Sequence, residues 1–303
     1  MAFSEHRYTS DDGLSLYYRD YGSDDSRDTI LCLPGLTRNV RDFHDLALRL
    51  ADRYRLICAD PRGRGMSDRD PDWHNYNIAT YMPDLDRLMD VADVSQAIFL
   101  GTSMGGLMSM IMAYQQPERV KAIILNDVGP EADPVGIQRI LRYVGRHAPV
   151  KDWDAAVDQL HNTYSVAVPN RPREFWADRV QLTYREGEDG RPELDMDRKI
   201  GDAIRHAMRV LPALKLLRAL HLVREVRGVP IDPWDSFRAV KVPCLVMRGE
   251  LSDILSEEIV DRMKAIKPDL QVTTIPGIGH SPYIEGPEML GAIDTFLAEL
   301  GDD

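Results

Sequence analysis

Hydrophobic and polar positions sort this chain of 303 residues into three kinds of stretch. Residues 3–9 and 14–21 alternate polar with apolar side chains, and Ser10-Asp11-Asp12-Gly13 between them has the composition of a turn. That pattern predicts an antiparallel hairpin with one face buried. Residues 29–33, 54–59, 97–100, 120–125, 243–248 and 272–275 are short apolar runs with little alternation, as suits strands covered on both faces of a parallel sheet. Between the runs, apolar residues recur at helical spacing: Phe43, Leu46, Ala47 and Leu50; Tyr81, Leu85, Leu88 and Met89; Leu290, Ile293, Phe296 and Leu297. Helices are therefore predicted over 40–50, 78–91 and 287–300. The alternation predicts an α/β fold with a mostly parallel, eight-stranded, doubly wound sheet and right-handed crossovers.

The alternation stops after Asp127 and resumes near Trp234. In between, residues 135–144, 154–164, 173–182 and 197–222 carry apolar residues at helical spacing, and Gly187-Glu188-Asp189-Gly190-Arg191-Pro192 reads as a polar loop. The expected organisation is a core of residues 1–130 and 232–303, with residues 131–231 inserted as a helical cap between the sixth and seventh strands. Neither an internal repeat nor a low-complexity tract is evident.

Composition narrows the function classes. Hydrophobic residues at 44% and charged residues at 28% suffice for a sizeable core. A formal net charge of -12 argues against nucleic acid or an anionic membrane as the main partner, leaving a small molecule as the expected one. Cys32, Cys58 and Cys244 lie far apart within apolar runs and fit no zinc or C-x-x-C spacing, so buried reduced thiols are expected and no metal site or cofactor. The opening residues lack an apolar signal region and no apolar stretch approaches membrane length, so the expectation is a cytoplasmic protein.

The chemistry concentrates in Ala97-Ile98-Phe99-Leu100-Gly101-Thr102-Ser103-Met104-Gly105-Gly106. G-x-S-x-G should arise by chance about 0.1 times in a chain of this length, so the motif alone decides little. Here it follows an apolar strand run and opens a helical one at residues 107–113, and that context makes Ser103 the candidate nucleophile. A serine hydroxyl needs a base, and the base needs an orienting acid. Of the 8 histidines, His280 is the candidate base, because Pro276-Gly277-Ile278-Gly279-His280 forms a loop just past the last strand. For the acid, Asp253 in Arg248-Gly249-Glu250-Leu251-Ser252-Asp253 is preferred, with Asp127 and Glu250 as alternatives. An oxyanion needs two preorganised donors. The N–H of Met104 is one candidate, and the N–H of Leu36, in Leu33-Pro34-Gly35-Leu36-Thr37, is the other. Asp60-Pro61-Arg62-Gly63-Arg64-Gly65-Met66-Ser67 lacks the spacing of a nucleotide-binding loop and reads as a rigid turn. Trp153, Tyr164, Phe175, Trp176 and Met208 are the large cap residues from which pocket walls could come.

Taken in order, Leu33-Pro34-Gly35, Asp60 to Ser67, Gly101 to Gly106, Arg248 to Asp253 and Gly279-His280 resemble the motifs of the α/β-hydrolase fold family. The resemblance implies hydrolysis through an acyl-enzyme, with Ser103, Asp253 and His280 as the triad. Within the family an aspartate nucleophile marks haloalkane dehalogenases and epoxide hydrolases, so Ser103 speaks against both. Carbon–carbon bond hydrolases resemble the chain in their serine and helical cap, but usually have a tryptophan after the histidine, where this chain has Ser281. The expected activity is that of a carboxylesterase or lactonase on a small or medium substrate. A carbon–carbon hydrolase or cofactor-free oxygenase or peroxidase is the alternative, and a non-catalytic ligand-binding scaffold the third reading.

Overall fold

The computed structural model describes residues 2–22 and 28–301. Eight strands form one sheet: β1 (Ser4–Thr9), β2 (Ser15–Tyr21), β3 (Thr29–Leu33), β4 (Arg55–Asp60), β5 (Ala97–Thr102), β6 (Val120–Asn126), β7 (Cys244–Gly249) and β8 (Gln271–Ile275). Their spatial order is β1-β2-β4-β3-β5-β6-β7-β8. The first hairpin is antiparallel, β2 meets β4 antiparallel, and every later pairing is parallel. The helices are α1 (His44–Leu50), α2 (Ile78–Val91), α3 (Met104–Gln115), α4 (Pro134–Tyr143), α5 (Trp153–Tyr164), α6 (Arg173–Thr183), α7 (Ile200–Ala219), α8 (Pro233–Ala239), α9 (Glu257–Ile266) and α10 (Pro287–Gly301).

Alternation along the central strands divides the core into two layers. Ile30, Cys32, Ile98, Leu100, Leu245 and Met247 face a cluster built with Leu46 and Leu50 of α1 and Ile293 and Phe296 of α10. Their neighbours Leu31, Leu33, Phe99 and Val246 face the opposite cluster, with Leu85 and Leu88 of α2, Met108 of α3, Phe237 of α8 and Met263 of α9. Successive side chains point to opposite faces of a strand, so a run that is apolar throughout must be sandwiched between helices. All three cysteines are buried and free.

Two features add to the periodicity-based expectation. The segment between β6 and β7 contains α4 to α7 but also two short antiparallel hairpins, Tyr184–Glu186 with Pro192–Leu194 and Glu225–Val226 with Val229–Pro230. Strands of two or three residues are too short to show a period of two. Helices α8 and α9 are further elements, and α9 carries its own start signal, the Ser256 hydroxyl accepting from the N–H of Ile259. Among the described residues, no helix is long and apolar enough to cross a membrane.

Candidate active site

Ser103 stands between β5 and α3 with φ 51° and ψ -111°, a conformation that L-residues rarely adopt. The corner holds because its glycines let backbones touch. A Cβ on Gly101 would lie 2.4 Å from the carbonyl carbon of Gly105, and one on Gly105 would lie 2.1 Å from the carbonyl oxygen of Leu33. Gly105→Ala is therefore expected to destabilise the fold by about 3 kcal/mol, the upper range for overpacking. A melting temperature within about 2 °C of the unsubstituted protein would contradict that close approach.

His280, 8% exposed, bridges the serine and a carboxylate. Its Nε2 is 3.0 Å from Ser103 Oγ, and its Nδ1 is 2.9 Å from Asp127 Oδ2 and 3.1 Å from the Asp127 carbonyl oxygen. A carbonyl oxygen can only accept, so Nδ1 carries a proton, and the tautomer with that proton alone leaves Nε2 to accept from the serine hydroxyl. Asp127 is fully buried, and its carboxylate accepts from the N–H of Gly249 at 2.8 Å and from the Ser252 hydroxyl at 2.7 Å. The neighbouring Asn126 amide donates to Thr102 Oγ1 at 3.1 Å and to the Pro282 carbonyl at 2.9 Å, tying the end of β5 to the histidine loop.

The geometry corrects the expectation that Asp253 orients His280. The carboxylate at Nδ1 belongs to Asp127, whereas Asp253 is held bidentately by Arg139 of α4, at 2.6 Å to Nε and 2.8 Å to Nη2. Burial works to raise the Asp253 pKa, but the hydrogen bonds and charge of Arg139 outweigh it and hold the carboxyl below its ordinary range. The physical reason is reach. Asp127 follows β6 directly, beside the strand that leads into Ser103, whereas Asp253 lies four residues beyond the end of β7 and pairs with Arg139 of α4. From that β7 loop it is Ser252 that reaches the site, as a donor to Asp127. Glu250, the other alternative, accepts from the N–H of Gly277 at 2.7 Å.

Leu36 and Met104 both stand beside the serine. Met104 is the first residue of α3, where an N–H has no intrahelical acceptor. The loop carrying Leu36 passes so near that a Cβ on Gly35 would lie 3.7 Å from Ser103 Cβ. The glycine-rich turn after β4 is a hydrogen-bonded scaffold: Asp60 accepts from the N–H groups of Val40 and Met66, and Arg62 is enclosed by Asp12, Asp70 and Asp84. Among the described residues, no group of three or more His, Cys, Asp or Glu side chains is placed to hold a metal ion.

Ser103 and His280 open onto a cavity of about 70 Å³. Its lining combines the apolar Ile140, Val144, Ala167 and Val168 with Arg38, Asp42, Tyr143, Tyr164 and Tyr283. Arg38 is 9% exposed and neutralised by Asp42 at 2.6 Å, and its guanidinium lies 5.1 Å from the centre of the Tyr283 ring. Of the large residues expected to supply pocket walls, Tyr164 lines this cavity; Trp176 is buried within the insertion and Met208 is 38% exposed. Tyr143, Tyr283 and the Arg38–Asp42 pair carried no signal in the sequence beyond Arg38 standing two residues past Leu36.

Residues 28–287 match the sequence profile described as the alpha/beta hydrolase fold, and the chain belongs to that family. It is 28% identical over 282 residues, 92% of each chain, to a protein of Cupriavidus necator named 3-hydroxybutyrate-oligomer hydrolase. It is 26% identical over 287 residues to the 2-(acetamidomethylene)succinate hydrolase of Mesorhizobium japonicum, covering 94% of this chain and 92% of that one. The crystal structure of an alpha/beta hydrolase from Novosphingobium aromaticivorans matches with a TM-score of 0.84 and 36% identity over 98% of both chains. The fold and the relatives together identify a hydrolase.

Proposed function

We propose that Ser103, His280 and Asp127 form the catalytic triad of a serine hydrolase that cleaves a small or medium carboxylic ester or lactone through an acyl-enzyme. The observation that carries this reading is the position of His280, with Ser103 Oγ 3.0 Å from Nε2 and Asp127 Oδ2 2.9 Å from Nδ1, at the wall of the cavity. Ser103 Oγ attacks the acyl carbon as its proton passes to Nε2, and Asp127 stabilises the imidazolium. The N–H groups of Met104 and Leu36 receive the oxyanion. Collapse of the tetrahedral intermediate breaks the bond to the alkoxide, which takes the proton from Nε2. Water then repeats the sequence on the acyl-enzyme and releases the acid. The insertion acts as a cap that excludes bulk water and sets acyl length.

The cavity supports a short acyl group, since about 70 Å³ is far below the roughly 300–1,000 Å³ of pockets for drug-sized ligands. Its lining includes three phenols and an arginine already neutralised by Asp42, which suits a hydroxyl or carbonyl substituent better than a carboxylate. The Cupriavidus necator relative, named for 3-hydroxybutyrate oligomers, is consistent with such a unit. Two measurements test the reading. A fluorophosphonate should label Ser103, and the absence of labelling together with the absence of ester hydrolysis would end it. Across p-nitrophenyl esters, kcat/KM should fall by about 100-fold from butyrate to octanoate, since a pocket this small cannot take the longer chain. Equal rates would remove the cavity as the acyl site. Turnover of a vinylogous diketone without turnover of esters would move the assignment to carbon–carbon hydrolysis.

A further inference from the structure

The turn after β4 holds two buried arginines, two residues apart, in opposite electrostatic settings. Arg62 is over-neutralised: it donates to Asp84 at 2.7 Å and to Asp70 and Asp12 at 2.6 Å. Arg64 has no solvent contact and, among the described residues, pairs with no carboxylate. It donates from Nε to the Leu36 carbonyl at 2.9 Å, and from Nη1 to the Arg62 carbonyl at 2.7 Å and the Tyr81 hydroxyl at 2.8 Å. Its Nη2 lies 3.8 Å from Met104 Sδ, and the guanidinium sits 4.9 Å from the centre of the Tyr81 ring.

A buried cation without an anion is costly, and carbonyl, hydroxyl and ring contacts offset only part of that cost. Such a charge is retained where its field or its geometry serves the site. Outside its own turn Arg64 lies against the Tyr81 and Tyr76 rings, bridges through its backbone to Met196, and reaches with its guanidinium Leu36 and Met104, the two proposed oxyanion donors. We infer that Arg64 is a positioning residue for the oxyanion hole. Its planar fork holds the Leu36 carbonyl toward the β4 turn, and the two peptide planes sharing the Leu36 Cα are thereby set so that the Leu36 N–H faces Ser103. The Arg64 guanidinium, in contact with both Leu36 and Met104, also places positive charge beside the donors on which the acyl oxygen turns negative. Lysine could keep the charge but not the fork.

The inference rests on the proposed triad and oxyanion donors, so its test carries a readout of each. Arg64→Met, Arg64→Lys and Tyr81→Phe are compared with the unsubstituted protein by circular dichroism, by kcat and KM on one short ester, and by the rate of Ser103 labelling with a fluorophosphonate. In the labelling, Oγ bonds to phosphorus as fluoride leaves and His280 takes the hydroxyl proton, so a P–O dipole uses the same donors. Folded Arg64→Met should lose about 100-fold in both kcat and labelling rate, the loss typical of one oxyanion donor, with KM within about threefold. Arg64→Lys should recover about tenfold of that loss. Tyr81→Phe, which deprives Nη1 of one acceptor, should lower kcat about threefold to tenfold, and it decides the matter if the Arg64 variants do not fold. Rates within threefold in folded Arg64→Met, or a loss carried by KM, would overturn the role of Arg64 while labelled unsubstituted protein leaves the triad standing. No labelling and no hydrolysis in the unsubstituted protein would overturn both.

Discussion

Ser103→Ala is expected to lower kcat by about 10⁶ on any activated short ester, the loss found when a serine nucleophile is removed from a triad. Among the described residues the hydroxyl has one partner in the site, His280 Nε2 at 3.0 Å, so its removal leaves that nitrogen facing a cavity that water can enter. The strained corner is held by the close approach of Gly101, Gly105 and Leu33 and not by the hydroxyl, so the fold should be unaffected. Steady-state kinetics with circular dichroism checks this. A folded variant retaining activity within tenfold would show that another nucleophile does the work.

Asp127→Asn carries the second-largest expected effect, a fall in kcat of about 10⁴. Oδ1 and Oδ2 accept three hydrogen bonds, from Gly249 N–H, Ser252 Oγ and His280 Nδ1. An amide in that place must turn its NH₂ toward one of those donors. If it faces His280, the ring takes the tautomer that protonates Nε2, and Ser103 loses its base. Asp253→Asn disturbs something else. It weakens the clamp on Arg139, which ties α4 to the loop after β7, so its expected cost is about 1–3 kcal/mol of stability. Its kcat/KM should stay within about tenfold. Measuring kcat/KM and denaturant midpoints for both variants separates them. A nearly inactive Asp253→Asn beside an active Asp127→Asn would restore Asp253, the acid preferred from the sequence, and equal losses would mean that neither acid acts alone.

The sequence was sufficient wherever one short segment contains all the physics. Apolar runs such as 97–100 must be covered on both sides, and the structure places them in the sheet interior with alternate residues in the two core layers. G-x-S-x-G between a strand run and a helix run pointed to Ser103, because the close approach of Gly101 to the Gly105 backbone is a local requirement. His280 was legible for a similar reason, as the lone histidine in a glycine- and proline-punctuated loop past the last strand.

The carboxylate that meets His280 Nδ1 was not legible in this way. Asp127 and Asp253 both follow strands at the same edge of the sheet, and nothing local says which carboxylate reaches the ring. That depends on the parallel register of β6 against β7, which brings the Gly249 N–H and the Ser252 hydroxyl onto Asp127, and on an arginine 114 residues away in sequence that engages Asp253. The cavity wall is likewise assembled from the loop after β3, α4, the end of α5 and the histidine loop. The two arginines of the β4 turn make the same point most sharply. Two residues apart in one turn, they differ in what the fold packs around them: three carboxylates around Arg62, and around Arg64 two carbonyls, two tyrosine rings and a thioether. Strand and helix identity follow from neighbours along the chain, whereas the partner of a charge follows from neighbours in space, and those exist only once the sheet has closed.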